Sequence, residues 1–290
     1  MTGFQASGLA ADLAALEATG KPIRIGLIGS GMMGTDIVTQ VLQMRGIVVA
    51  AIADIHVPAA VAALASAGHD ADAHRIVDSA SALEQAIGDK RIAITQNADL
   101  VCACAMIDVV VDATGKPDVG AQIGLTAMEY GKHLVMMNVE ADVTIGAYLK
   151  HEADRLGVVY SLGAGDEPSA TIELINFVSA LGYPVIAAGK GKNNPLNVDA
   201  TPDDYAGQAL DMGLNPRMLV EFVDGSKTAV EMSAIANATG LVPDIAGMHG
   251  PAASLKDLHK VLCPVADGGI LGRKGVVDYT IGKDVAPGVF

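Results

Sequence analysis

Two adjacent carboxylates pose the first chemical question in this sequence. Asp166 and Glu167 stand in the stretch GAGDEPSATI, directly after the apolar run VVYSL at residues 158–162. Such a run favours a buried strand, and open α/β sheets bind ligands beyond the carboxyl ends of their strands. The two acids are therefore candidates for holding a metal ion or moving a proton. The alternative is a helix cap, because Pro168 suits the first turn of a helix and an acid suits the position before it.

Glu231 is the residue expected to meet these acids from another element. It lies in a predicted helix after DGSK, one turn beyond Lys227, and such a pair is commonly an ordinary helix salt bridge. Carboxylates that converge repel one another unless a cation or a proton relieves them. We predict that Asp166 and Glu231 bind Mg²⁺ or Mn²⁺, or else that one acid has a raised pKa. Glu167 and Lys227 are predicted to act in catalysis, with Lys227 polarising the reacting oxygen or relaying a proton.

The stretch AAGKGKNNPLN could hold an anion. Lys190, Lys192, Asn193 and Asn194 follow a predicted strand on a glycine-rich loop, and such a loop can cradle a phosphate or a carboxylate. Solvated loop lysines are the usual alternative. The chain has 19 basic residues against 33 acidic ones, and two of the basic residues stand here beside glycines. We therefore predict that Lys190, Lys192 and Asn193 belong to the catalytic site and hold the anionic end of a substrate.

The stretch GLIGSGMMG contains the spacing G-x-G-x-x-G directly after the apolar run IRIGLI. That spacing allows a tight turn, a close approach of a pyrophosphate, and close packing of the helix whose first amides receive the phosphates. Asp54 follows at the end of the next predicted strand, where a carboxylate accepts hydrogen bonds from a ribose 2′-hydroxyl and repels a 2′-phosphate. This order predicts a dinucleotide site and, from Asp54 alone, NAD. The predicted pyrophosphate-binding residues are Gly29, Ser30, Gly31, Met32, Met33 and Gly34.

Two later strand ends extend the predicted cofactor site. Thr114 and Gly115 close the apolar run VVVDATG, and their backbone is expected to line the cofactor cleft. Asn138 closes the run HLVMMN, with Glu140 just beyond it. Asn138 is predicted to contact the nicotinamide amide and Glu140 to act in catalysis. A helix cap explains these two polar residues equally well, because Asn and Glu are also favoured at helix starts.

The elements that must position these residues alternate along the chain. Apolar runs of strand length alternate with helical stretches, a pattern typical of a parallel sheet covered on both faces. We predict an α/β fold with a Rossmann doubly wound parallel sheet in residues 1–165 and a second α+β domain for catalysis and oligomerisation in residues 166–290. The predicted strands are 23–28, 47–53, 108–114, 133–137 and 158–162, and the predicted helices begin near Gly34, Val57, Ser81, Asp118 and Val143.

Composition excludes several classes of protein. The formal net charge of −14 argues against the phosphate-neutralising surface that nucleic-acid binding requires. No stretch approaches the roughly 18 uninterrupted apolar residues of a membrane span. The cysteines Cys102, Cys104 and Cys263 form no even disulfide set, which favours a cytoplasmic location. The final residues, DVAPGVF, end on an apolar fragment, from which we expect that the parental protein continues.

The motifs together resemble the DXR-like (DRL) proteins, a second type of 1-deoxy-D-xylulose 5-phosphate reductoisomerase within the homoserine dehydrogenase-like superfamily. The likeness covers essentially the whole chain, and departs from homoserine dehydrogenases themselves, which have Asn-Lys where this chain has Asn138-Val139. The motifs that carry the resemblance are NVEAD, GDEPSATIELINFVSALGY, AAGKGKNNPLN, ATPDDY, VEFVDGSKTAVEMSAIANATGLVPDIAGMHGP and GVVDY.

The resemblance implies an activity, cofactors and partners. It implies isomerisation of a phosphorylated sugar, 1-deoxy-D-xylulose 5-phosphate, and its reduction by NADPH to 2-C-methyl-D-erythritol 4-phosphate in isoprenoid precursor synthesis. It also implies a divalent metal, a homo-oligomer, and a C-terminal SAF-like region that this chain lacks. NADP conflicts with the preference for NAD read from Asp54. Two other functions stay open: a dehydrogenase of another hydroxylated metabolite, and a non-catalytic dinucleotide sensor.

Overall fold

The chain folds into two compact units. The computed structural model describes residues 7–213, 215–282 and 288–290, so residues 284–287 of the final stretch DVAPGVF lie outside the described residues. The first unit is Met1–Leu162 and the second is Gly163–Phe290. The boundary predicted after residue 165 falls slightly later, in the loop that follows the last strand of the first unit.

The first unit alternates strands and helices along its length. Its strands are β1 (Ile23–Ile28), β2 (Ile47–Ala53), β3 (His74–Ile76), β4 (Ile92–Thr95), β5 (Val109–Asp112), β6 (His133–Met136) and β7 (Tyr160–Leu162). Its helices are α1 (Leu9–Ala18), α2 (Met32–Val41), α3 (Val57–Ser66), α4 (Ala80–Gly88), α5 (Ala98–Ala103), α6 (Pro117–Glu129) and α7 (Val139–Leu156). The two short strands β3 and β4 were not predicted from the sequence.

The strands of the first unit form a seven-stranded sheet in the order β3-β4-β2-β1-β5-β6-β7. Each neighbouring pair in that order is parallel. Strands β2, β3 and β4 lie on one side of β1, and the chain then returns to add β5 on the other side, so the order reverses between β1 and β5. This is a Rossmann-type doubly wound sheet, as predicted, and ligands of such sheets bind beyond the carboxyl ends of the strands at the reversal.

Apolar side chains cover both faces of this sheet. Met128, Leu134 and Leu149 belong to the core on one face. Leu27 and Ile52 belong to the core on the other face. Burial on both faces explains why β1 and β2 read as nearly continuous apolar runs rather than as alternating ones.

The second unit is built on a smaller sheet. Its strands β8 (Ala187–Lys192), β9 (Val242–Pro243) and β10 (Val276–Ile281) are parallel and lie in the order β8-β10-β9. Met232 and Ile235 pack on Val277 of the central strand. Leu258 and Leu262 belong to a second cluster, together with Val276. The helices are α8 (Glu167–Ala180), α9 (Ala206–Met212), α10 (Pro216–Asp224), α11 (Ser226–Thr239) and α12 (Leu258–Val261).

The predicted glycine-rich loop around Lys190 and Lys192 is a strand. A Cβ built at Gly189 would lie 1.6 Å from the carbonyl oxygen of Asp278, so the glycine permits a close approach of β10. The prediction was wrong because glycine in a sequence indicates either a turn or a close backbone contact, and here it is the contact.

Within the described ranges, no helix combines the length and hydropathy that a membrane crossing requires.

Candidate functional site

The three glycines of the G-x-G-x-x-G spacing have different surroundings. Gly29 has φ +92°, and a Cβ there would lie 2.8 Å from the carbonyl oxygen of Ala113. A Cβ at Gly34 would lie 2.2 Å from the carbonyl oxygen of Gly29, so this glycine lets α2 pack against the turn. Gly31 has no neighbour within 4 Å of its hypothetical Cβ. Gly29 and Gly34 therefore shape the turn, and Gly31 leaves open space in front of it.

The start of α2 offers unpaired amides. Gly31 is the residue before the helix, and within the described part of the chain no side chain caps this helix. The first amides of a helix have no partner inside the helix, and they attract anions. Met32 and Met33 are exposed beside them. The turn and the helix start thus fit a pyrophosphate on this chain's own backbone.

Asp54 holds the glycine turn in place. Its carboxylate accepts hydrogen bonds from Ser30 Oγ at 2.6 Å, Ser30 N at 2.8 Å and His56 N at 2.8 Å. Burial would raise the pKa of Asp54, but the hydrogen bonds from Ser30 and His56 outweigh it and lower the pKa. The Ser30 amide, which was predicted to bind the pyrophosphate, is thus occupied by Asp54. The remaining lone pairs of this ionised carboxylate can accept a ribose hydroxyl.

A buried polar network closes the neighbouring strand ends. Asn138 is 1% exposed, and its amide nitrogen donates to Asp112 Oδ2 at 3.2 Å, Thr114 Oγ1 at 3.4 Å and Lys116 O at 2.8 Å. Its oxygen accepts from Ala141 N at 3.2 Å. Asn138 is therefore the cap of α7 and the link between β5 and β6. Its groups are engaged within the chain, which favours the cap over the predicted contact to the nicotinamide.

Asp112 is a residue of this network that sequence reasoning missed. It is fully buried at the end of β5, and burial raises its pKa in spite of hydrogen bonds from Thr114 and Asn138. The available signal was an acid in the otherwise apolar run VVVDATG. Of the other predicted residues near these strand ends, Gly115 is exposed with φ +65°, and Glu140 is partly buried in the first turn of α7.

Lys190 lies between two carboxylates in the second unit. Its Nζ donates to Glu167 Oε1 at 2.7 Å and makes a shorter hydrogen bond to Glu231 Oε2. Lys227 Nζ lies 3.8 Å from Glu231 Oε1. The side chains of Lys190 and Glu231 are 11% and 4% exposed. Strand β8 and helices α8 and α11 thus bring together four residues that were proposed as site residues from different stretches of sequence.

The charges of this cluster follow from burial and pairing. Burial would lower the pKa of Lys190, but its hydrogen bonds to Glu167 and Glu231 outweigh it and raise the pKa, so the ammonium form is held. Burial also acts on both acids. The hydrogen bond from Lys190 overcomes it at Glu167, whose pKa is lowered, whereas burial dominates at Glu231 and raises its pKa. The ammonium of Lys190 thus pairs with two carboxylates whose pKa values are shifted in opposite directions.

The two predicted metal ligands, Asp166 and Glu231, have partners within the chain in this arrangement. Asp166 Oδ1 accepts from Ser169 N at 3.1 Å and Ser169 Oγ at 2.6 Å, so Asp166 is the cap of α8. Glu231 pairs with Lys190. Among the described residues, no group of three or more His, Cys, Asp or Glu side chains could hold a metal ion. The cation at the predicted site is an ammonium of the chain itself.

Lys192 does not face an open anion site. Its Nζ donates to Phe222 O at 2.5 Å and Pro195 O at 3.4 Å, and Phe222 belongs to the last turn of α10. Burial lowers the pKa of Lys192. A lysine at the carboxyl end of a helix satisfies carbonyls that lack partners, so Lys192 has a structural role here. The predicted neighbour Asn193 is exposed after the strand.

Family comparisons divide the chain as its two units do. A family model described as the NAD binding domain of homoserine dehydrogenase matches residues 29–160. A second, described as the catalytic domain of oxidoreductase DRL, matches residues 165–290. The first segment is thus similar to the NAD binding domain of homoserine dehydrogenase, and the second to the catalytic domain of oxidoreductase DRL. The glycine turn lies in the segment that matches the NAD-binding model, and the cluster of Lys190 lies in the segment that matches the DRL model.

Several solved structures resemble this chain at low sequence identity. An NAD binding oxidoreductase from Klebsiella pneumoniae is 17% identical with a TM-score of 0.43, over 61% of this chain and 44% of that one. The myo-inositol dehydrogenase from Lactobacillus casei in complex with NAD(H) and myo-inositol is 18% identical with a TM-score of 0.42, over 63% and 49%. The WlbA dehydrogenase from Bordetella pertussis in complex with NADH and UDP-GlcNAcA is 17% identical with a TM-score of 0.43, over 64% and 50%. The chain thus spans 44% to 50% of the length of these three proteins. No curated protein matches the chain.

Proposed function

We propose that this chain is an NADPH-dependent reductoisomerase that converts 1-deoxy-D-xylulose 5-phosphate into 2-C-methyl-D-erythritol 4-phosphate for isoprenoid precursor synthesis. The observation that carries the proposal is Lys190, an ammonium held between Glu167 and Glu231 within the segment that matches the DRL catalytic domain. Such a group can stabilise and protonate an oxygen that becomes negative during reduction of a carbonyl.

The proposed roles follow from the donors and acceptors of the cluster. A nicotinamide held by the glycine turn and Asp54 would supply the hydride for the reduction. The ammonium of Lys190 has three N–H groups, of which two are directed at carboxylates, so the third can donate to the carbonyl oxygen. Glu231, whose pKa burial raises, can return a proton to Lys190 after that transfer. Lys227, one turn away and partly exposed, can bind the anionic end of the substrate.

The choice of nicotinamide can be tested separately from the reaction. The resemblance favours NADPH, whereas the carboxylate of Asp54 at the end of β2 favours NADH because it repels a 2′-phosphate. We propose NADPH as the working cofactor. Replacing Asp54 by Ala should weaken NADH binding more than NADPH binding, measured by calorimetry. Equal losses for the two cofactors would mean that Asp54 does not contact the ribose.

A divalent metal is the part of the proposal that the described carboxylates support least. Glu167 and Glu231 are both paired with Lys190, and Asp166 caps a helix. Mg²⁺ and Mn²⁺ remain requirements that the resemblance implies and that the assay must vary.

The pairing of both acids with Lys190 also suits a second function. A dehydrogenase of a hydroxylated metabolite, running in the reducing direction, needs a proton donor and a hydride donor, and it needs no metal to chelate neighbouring oxygens. The carbon skeleton of the product separates the two enzymes, because only a reductoisomerase yields a branched chain.

The deciding assay is oxidation of NADPH by 1-deoxy-D-xylulose 5-phosphate with Mg²⁺, with Mn²⁺ and with a chelator. We expect one NADPH oxidised for each branched product formed, with the product identified by carbon NMR. Oxidation with an unbranched product would favour the plain dehydrogenase. NADPH binding without oxidation by any sugar phosphate would favour the non-catalytic sensor.

A further inference from the structure

A histidine and an aspartate outside the Lys190 cluster are joined in the loop after β9. His249 Nε2 lies 2.8 Å from Asp244 Oδ2, and the same oxygen accepts from Gly272 N at 2.8 Å. The pairing assigns the Nε2 proton to the side that faces the carboxylate. His249 Nδ1 is then the acceptor, and it has no hydrogen-bond partner among the described residues. The imidazole is thus oriented, and its side chain is 18% exposed.

The backbone around His249 is held in a costly conformation. Met248 has φ +68°, which is uncommon for a residue with a side chain, and the glycines on either side of the Met248–His249 pair also have positive φ. Asp278, which is fully buried, accepts from His249 N at 3.1 Å and from Gly250 N at 3.0 Å. Strain of this kind persists only where the surroundings hold it, and it is common at functional sites.

The loop lies at the same end of the sheet as Lys190. Tyr279 of β10 is paired in register with Lys190 of β8. A Cβ at Gly250 would lie 2.5 Å from Cζ of Tyr279, so the loop packs against that ring. The loop therefore packs on a side chain of the strand that lies next to the strand of Lys190. Both positions lie towards the carboxyl ends of parallel strands, where ligands of such sheets bind.

We propose that His249, oriented by Asp244, is a second acid–base group of the substrate site in this unit. The inference rests on the proposed function, since a rearrangement of a hydroxylated ketone needs a base as well as a proton donor. Neutral Nδ1 takes the proton of a substrate hydroxyl and returns it to an oxygen of the product, so the imidazole ends each turnover neutral. The charged groups around it are Asp244, Arg273 acting on Asp244, and Asp278 beneath the loop backbone.

A purely structural role of the His249–Asp244 pair would have different experimental consequences. If the pair only fastens the loop, its loss lowers stability and changes turnover at every pH alike. As an acid–base group, His249→Gln should lower kcat about 100-fold while KM changes less than about two-fold, and it should remove the acid limb of the pH profile. His259→Gln is the matched control, because His259 is an exposed histidine of the same unit outside the loop.

The test combines turnover measurements with an NMR signal that reports substrate binding even without turnover. Imidazole NMR resonances of histidine-labelled protein are recorded with and without 1-deoxy-D-xylulose 5-phosphate, and the His249 signal is assigned by its loss in His249→Gln. We expect the His249 signal to shift with the sugar phosphate and the His259 signal to stay unchanged. Thermal unfolding of both variants checks that the second unit is still folded.

Every outcome decides between the two proposals. Turnover by the wild type with an unmoved His249 signal overturns this inference and leaves the proposed function standing. A shifted His249 signal without turnover shows that His249 lies at a sugar phosphate site, and it overturns the reductoisomerase together with the acid–base role. An unmoved signal without turnover overturns both. If His249→Gln keeps the wild-type pH profile, or loses activity only in proportion to unfolding, the pair is a loop fastener.

Discussion

At the scale of single residues, the ammonium of Lys190 holds two carboxylates that would otherwise repel each other. Its replacement by Met removes the cation that both acids share and leaves the buried Glu231 with only the more distant Lys227. Breaking a buried ion pair on one side costs about 3 kcal/mol, because an uncompensated charge stays inside the protein. We expect Lys190→Met to lower the free energy of unfolding of the second unit by that amount in urea titrations. A loss below about 0.5 kcal/mol, the usual effect at a plain surface site, would mean that the cluster is solvated.

The double variant Lys190→Met with Glu231→Gln is the control for this prediction. It removes the buried charge together with its partner, so part of the lost stability should return. Turnover should stay absent in both variants, because both lack the proposed proton donor.

Gly31 offers the cleanest single-residue test of the dinucleotide site. Its φ of −64° is accessible to any residue, and a Cβ there meets no atom within 4 Å. Gly31→Val should therefore leave the melting temperature nearly unchanged, while the added side chain occupies the space expected for the pyrophosphate. We expect at least a 100-fold loss of NADPH affinity by calorimetry, about 2.7 kcal/mol. Gly34→Val is the contrast, because its Cβ would collide with the backbone of the turn, and it should destabilise the first unit.

At the scale of elements, helix α8 begins on a side-chain cap supplied by Asp166. Asp166 accepts two hydrogen bonds from Ser169, one from the backbone amide and one from the hydroxyl. Asp166→Ala should cost about 1 kcal/mol of stability, the usual loss for such a cap. Turnover per folded molecule should be retained. If turnover is lost while stability is unchanged, and excess Mn²⁺ restores it, Asp166 is a metal ligand after all.

Strand β7, at one edge of the large sheet, is tied to helix α7 by a titratable hydrogen bond. Tyr160 Oη donates to Asp142 at 2.6 Å, and burial together with that acid raises the pKa of Tyr160. Above the ordinary tyrosine pKa of about 10, the unfolded chain loses this proton while the folded chain keeps it. The stability contributed by Tyr160 is therefore present below that pH and is lost as the pH rises.

Tyr160→Phe tests this link. It should cost about 1 kcal/mol at pH 8, and the cost should shrink as the pH rises above 10. Urea unfolding of the first unit at pH 8 and above pH 10 measures it. A cost that stays constant or grows with pH would contradict a raised pKa.

The strands with long apolar runs were predicted from the sequence, and the short strand β3 was missed. The runs at 23–28 and 47–53 coincide with β1 and β2 because these strands are buried on both faces and uninterrupted. Strand β3 escaped prediction because it has three residues, two of them polar, at a sheet edge. Helix α7 begins at Val139, earlier than the predicted Val143, because Asn138 supplies its cap.

Residue type and position in the sequence were enough to select the charged residues of the candidate site. Glu167, Lys190, Lys227 and Glu231 were chosen as charged residues near strand ends or on a helix, and they converge. Their pairing could not be predicted, because sequence does not say which way a strand residue points. Lys192, a neighbour of Lys190 in sequence, reaches a helix end, and His249 escaped notice because its partner depends on the path of a loop.

At the scale of the whole molecule, the net charge of −14 shapes which partners can approach. An anionic sugar phosphate meets a negative field and needs local cations, which the second unit provides at Lys190 and Lys227. We expect the KM for the sugar phosphate to fall modestly between about 20 and 200 mM NaCl, because salt screens the repulsion. The proposed homo-oligomer is tested independently by light scattering, which gives the mass in solution.

The most direct test of the account uses carbon-labelled 1-deoxy-D-xylulose 5-phosphate and compares wild type with Lys190→Met. Both proteins should bind NADPH with similar affinity, because the dinucleotide site lies in the first unit. We predict that only the wild type oxidises NADPH and forms a branched polyol phosphate. Equal product formation by both proteins would contradict the role given to the Lys190 cluster. NADPH binding by the wild type without oxidation, with Mg²⁺ or Mn²⁺ supplied, would contradict the proposed reaction itself.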